Sequence, residues 1–127
     1  MAKRKPSRKT LVKKLDKLVG DYVKLRDDYR CVQCGSTDKP SWGHLFSRRS
    51  YSTRWDLENS FCQCWPCNFK HTKDNYDYYW WFQNRFGTER FNQLRVRYKS
   101  SRKLTNIDLQ ELYDKMLLMY KDLEKIK

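Results

Sequence analysis

The chain has 127 residues, and its 28 Lys+Arg against 15 Asp+Glu give a formal charge of +13. That length holds one domain with one modest core, for which a bound metal is a useful staple, and so basic a surface favours a polyanionic partner, nucleic acid first. No run approaches the roughly 18 apolar residues that span a bilayer, and no apolar segment follows the basic start as in a secretory signal; the expectation is a cytoplasmic protein with no membrane role.

Residues 1–9, with Lys3, Arg4, Lys5, Arg8 and Lys9 around Pro6, read as a basic arm, either a solvated tail or a phosphate contact. Leu11, Leu15, Leu18, Tyr22 and Leu25 then recur at helical spacing and predict an amphipathic helix ending near Asp28. Lys13, Lys14, Asp16 and Lys17 fall on its other face. The period breaks at the turn cluster Gly35–Pro40. Short strands over Trp42–Phe46 and Ser60–Gln63 would form a hairpin, joined by an arginine-rich loop from Ser47 to Asn59. Pro66 suits the first position of a helix running toward Phe86 with a break near Asp74, closed by Gly87. Thr88 would cap a further short helix, and Thr105-x-x-Asp108 resembles a capping box ahead of Leu109, Tyr113, Met116, Tyr120 and Leu123 on a final helix. The organisation expected is the arm (1–9), a central domain (10–87) and a C-terminal helical extension (88–127).

Cys31/Cys34 and Cys64/Cys67 form two Cys-x-x-Cys knuckles. Each spacing puts two thiolates on one tight turn, and two such turns close a tetrahedral four-sulfur zinc site. Such a site leaves no position for substrate, so zinc would build the fold and not catalyse. Cys62 is left over and reads as a small buried side chain.

Cys31-Val-Gln-Cys34-Gly35, Gly43-His44 with Ser47-Arg48, Arg54-Trp55, Asn59, and Gln63-Cys64-x-x-Cys67-Asn68 together resemble an HNH endonuclease of the ββα-metal kind. More narrowly the chain resembles the NinG/Rap family of phage recombination endonucleases, over about residues 15–94. The resemblance implies an α+β, mostly helical fold: a ββα-metal HNH core with a four-cysteine structural zinc site, flanked by N- and C-terminal helices. It implies His44 as the general base, Asn59 as a brace for the loop beside it, and Asn68 as a ligand of a catalytic divalent ion. Branched recombination intermediates, such as Holliday junctions or D-loops, are the implied DNA substrate. Two positions depart from the common HNH pattern. Gly43 stands where many members carry an Asp ligand, and His71 where a lysine is frequent.

The chemistry reads consistently from the residues. A near-neutral imidazole at His44 can take a proton from water, while Mg²⁺ or Mn²⁺ stabilises the phosphate and the leaving oxygen. Hard ions keep several waters, so Asn68, with His71 on the same helical face, could suffice as protein ligands. Arg48, Arg49 and Arg54 in the loop, with Lys70 and Lys73 on the helix, suit phosphate contacts. The aromatic run Tyr76, Tyr78–Phe82 and Phe86 reads first as core or dimer seam and second as a base-stacking surface. A homodimer would bring two sites to one junction. The expected function is therefore a divalent-metal-dependent HNH endonuclease on DNA; the rival reading is a non-catalytic zinc-ribbon DNA-binding protein in which His44 only packs.

Overall fold

A computed structural model describes residues 6–127. The order of elements is α1 (Arg8–Arg26), β1 (Pro40–His44), β2 (Ser60–Cys64), α2 (Trp65–Lys73), α3 (Tyr76–Phe86), α4 (Thr88–Lys99) and α5 (Asn106–Ile126). Among the described residues this is a mostly helical α+β fold with five helices and one two-stranded sheet.

Ser7 caps α1, its Oγ accepting from the Thr10 amide at 3.2 Å. Arg8 and Lys9 are thus helical and not part of an arm; residues 1–5 of that arm lie outside the described residues. The buried face of α1 is Leu11, Leu15, Val19 and Val23, four residues apart. Leu18 and Tyr22 lie at its edge, so the face is turned from the one the leucine spacing suggested. α5 lies along α1, and Leu109 and Met116 join those four and Trp55 in one core. Leu45, Phe46, Phe61, Tyr78, Phe82, Phe91 and Leu94 form a second, aromatic-rich core. Residues 88–127, the expected C-terminal helical extension, are helical in α4 and α5 and contribute to both cores.

The strands pair antiparallel, Trp42 opposite Cys62 and His44 opposite Ser60. Every residue of β2 is buried, because α1 packs against the sheet and so does α2. α2 follows β2 without a loop, which carries Cys64 straight into the helix. It stops at Lys73, as the break expected near Asp74 requires, and α3 starts two residues after Asp74. Gly87, at φ 98°, closes α3 and opens α4, so Thr88 is the first helical residue and not a cap. The Thr105 box is complete: Thr105 Oγ1 accepts from the Asp108 amide at 3.1 Å, and Asp108 accepts from the Thr105 amide at 2.8 Å. The aromatic run divides along α3. Tyr78 and Phe82 fill the second core, while Tyr76 and Trp80 face outward.

Candidate metal centre and active site

The first knuckle is a tight turn in which the Gly35 amide donates to the Cys31 carbonyl at 2.9 Å, with Gly35 at φ 79°. The second is the start of α2, where Cys64 holds the N-cap position and Cys67 the first turn. The sulfurs of Cys31, Cys34, Cys64 and Cys67 all lie within 4.8 Å of one another, and Cys34 Sγ is 3.6 Å from Cys64 Sγ. A tetrahedron with Zn–S bonds of about 2.3 Å has edges of about 3.8 Å, so the four could bind a zinc ion.

Burial raises the Cys31 thiol, but backbone amides at Cys64, Cys34 and Gln33 outweigh it and hold it at about 7. Burial, and then the three neighbouring thiols, push Cys67 the other way. Four crowded sulfurs cannot all be thiolates without a cation among them, which is the condition zinc satisfies. Cys62 stays outside this cluster: it is fully buried, and burial pushes its thiol up to about 11.

The second cluster also draws on α2, through Asn68, one residue after Cys67. His44 ends β1, and its Nε2 is 2.9 Å from the Arg54 carbonyl. A carbonyl only accepts, so Nε2 carries the proton and Nδ1 is the bare nitrogen. Trp42 packs on the ring with centroids 4.1 Å apart. Burial first, then the positive charges of Arg48 and Arg54, push the imidazole down to about 4 against the opposing pull of the Arg54 carbonyl and Asp16. His44 is therefore neutral at pH 7. It lines an open cleft of about 550 Å³ together with Arg48, Arg49, Asn68, Thr72 and Tyr98. Among the described residues the Asn68 amide makes no hydrogen bond, and Arg48 and Arg49 are exposed.

The remaining expected site residues fall elsewhere. Asn59 is fully buried; its Oδ1 accepts from the Phe46 amide at 2.9 Å, and its Nδ2 donates to the Phe46 and Thr53 carbonyls, each at 3.0 Å. It ties the exit of β1 to the loop and cannot touch a substrate. His71 borders the cleft, but its Nε2 donates to the Leu45 carbonyl at 2.9 Å, and its Nδ1 is buried without a partner. Through Nε2, His71 fastens α2 to the end of β1, and Nδ1 is the ring nitrogen left without a partner beside the cleft. Arg54 is no free phosphate contact. Its guanidinium grips Asp16 twice, at 3.0 and 2.6 Å, and its side chain is 13% exposed. Lys70 pairs with Asp77 at the surface, and Lys73 is exposed.

Two residues that matter here were not anticipated. Asp16, expected on a solvated face, receives Arg54, Arg48 at 3.1 Å and the Trp55 indole N–H at 3.0 Å. It thereby anchors the residue whose carbonyl orients His44; the available signal was a lone acid among Lys13, Lys14 and Lys17. Gln63 explains Gly43. Any Cβ at position 43 would overlap the Gln63 carboxamide, which is fully buried and donates to Gln33. A carboxylate at 43 has no room, and none of the residues lining the cleft is acidic.

A family model described as Bacteriophage Lambda NinG protein matches residues 2–126. The chain belongs to this family of phage recombination-associated proteins. No curated protein and no solved structure matches it. No helix among the described residues is long and apolar enough to cross a membrane.

Proposed function

With that membership as the premise, we propose that the protein is a divalent-metal-dependent HNH endonuclease that hydrolyses DNA phosphodiester bonds at branched recombination intermediates. One observation carries the reading: an imidazole whose protonated nitrogen is tied to a backbone carbonyl shares a cleft with an unbonded amide and two exposed arginines. The succession β1, β2, α2 with a sulfur-held base supports the ββα-metal assignment.

His44 Nδ1 accepts a proton from water, whose oxygen then bonds to phosphorus as the bond to the 3′ oxygen breaks. Arg48 and Arg49 hold the phosphate in place. Asn59 keeps the loop, and Asp16 through Arg54 keeps the ring, in the attacking orientation. A divalent ion, when bound, supplies positive charge to the phosphate and the leaving oxygen. Asn68 fits as its protein ligand. With no carboxylate nearby, phosphate and water oxygens would complete the set, as hard ions accept.

The test is incubation of the zinc-loaded protein with branched and linear DNA, with Mg²⁺, Mn²⁺ or neither. His44→Ala should still bind and should cut at least about 10²-fold more slowly. The acid-free cleft also supports the rival reading, a zinc-dependent DNA-binding protein without catalysis. Wild type and His44→Ala equally inert with every metal, while both bind DNA, would decide for the rival.

A further inference from the structure

We propose that the outer stripe of α2 is a stacking platform for unpaired nucleobases, an inference that rests on the reading that the chain acts on DNA. Trp65, Phe69 and Lys73 recur every four residues and so share one helical face. Trp65 and Phe69 are 54% and 48% exposed and belong to neither core. Their rings stack, 15° from parallel with centroids 5.0 Å apart, and Lys73 Nζ lies 5.5 Å from the Phe69 centroid. The result is an exposed aromatic stack with a cation at its Phe69 end, which a further ring can extend.

Every base has a π face, so such a surface holds bases without reading their sequence, while the ammonium takes the phosphate alongside. In a duplex these faces are covered by neighbouring base pairs; at a branch point or a frayed end they are open. Phe69 directly follows Asn68, whose stripe faces the cleft. A base held on the platform therefore sets its own strand beside the candidate scissile position. A second copy is the poorer occupant. A symmetric contact through this face would bring Lys70 and Lys73 of two strongly basic chains together, whereas a polyanion gains from the same charge.

The experiment is fluorescence anisotropy of a labelled short oligo-dT strand and of a duplex of equal length, with zinc-loaded protein and no other divalent ion. Trp65→Leu and Phe69→Leu keep apolar volume and remove the ring. Each is expected to weaken oligo-dT binding about tenfold, with duplex binding near wild type, and Phe69→Tyr is expected to restore it. Zinc content and melting temperature confirm that each variant is folded. Folded leucine variants that bind oligo-dT as tightly as wild type overturn the platform. So does equal loss of strand and duplex binding, or a wild-type dimer that the leucine variants dissolve. Cleavage plays no part in this readout. A protein that binds oligo-dT through Trp65 and Phe69 yet cuts no branched DNA keeps the platform and loses the nuclease reading.

Discussion

Two donor clusters use the same short helix, and they are built on opposite principles. Cys64 and Cys67 begin α2 and complete a set of four sulfurs. One residue later Asn68 faces a cleft that offers an amide oxygen, an imidazole and two guanidiniums, with no carboxylate among its lining residues. The sulfur cluster carries enough negative charge to hold a dication on its own, and once filled it has no vacancy. The cleft does not. On the proposed reading its ion arrives with the substrate, because the phosphate supplies the negative charge that the protein omits. On that reading a permanent metal would fix shape, and a borrowed one would confine hydrolysis to the moment when DNA is in place.

The largest expected effect separates the two clusters directly. Cys67→Ser should lose zinc and its cooperative melting transition, since metal binding and folding are one equilibrium in a domain this small. Asn68→Ala, one residue on, should melt as wild type and lose cleavage. Zinc stoichiometry and a thermal melt by circular dichroism check both, and a Cys67→Ser protein that melts at the wild-type midpoint would break the distinction. Next comes the support of the cleft. Asp16→Ala leaves Arg54 with its charge unanswered under 13% exposure and should cost about 2 kcal/mol in a urea titration. Gly43→Ala should cost less, about 1–2 kcal/mol, because the Gln63 carboxamide must give way. In Gly43→Ala/Gln63→Ala that penalty should vanish, and simple additivity of the two substitutions would refute the packing explanation.

How much of this was legible in the sequence follows the same division. The knuckles were readable because four cysteines at that spacing have few other uses, and the hairpin, the break before α3 and the Thr105 box followed from local rules. The buried face of α1 is not legible from its leucines alone, because Val19 and Val23 share the buried stripe with Leu11 and Leu15 while Leu18 lies at its edge. The cleft was half legible. His44 and Asn68 could be placed by motif, but the fates of Arg54 and His71 depend on partners far along the chain, Asp16 and the Leu45 carbonyl. Charge alone marks an arginine as a phosphate contact; only the fold reveals that an aspartate 38 positions earlier already holds it.

The smallest effect tests the cleft's electrostatics, and composition makes it easy to measure, since the chain has two histidines. Burial lowers both imidazoles, His44 to about 4. Because the free value is about 6.5, the unfolded chain takes up protons between those limits while the folded chain does not. The stability contribution of His44 is thus fully present above about pH 6.5 and is lost as pH falls toward 4, the sign expected of a base buried in its neutral form. Acid also protonates the zinc thiolates, so a melt cannot separate the two causes. Titrating the imidazole proton resonances by NMR in zinc-loaded protein can. The His44 signal should move only near the acid end of the titration, and further down still in Asp16→Ala, because the aspartate's charge holds the imidazole up. A His44 midpoint near 6.5 would mean that the ring is open to water, because burial is the largest influence holding it down. The cleft would then be a loose surface and not the pre-set counterpart of the sulfur centre.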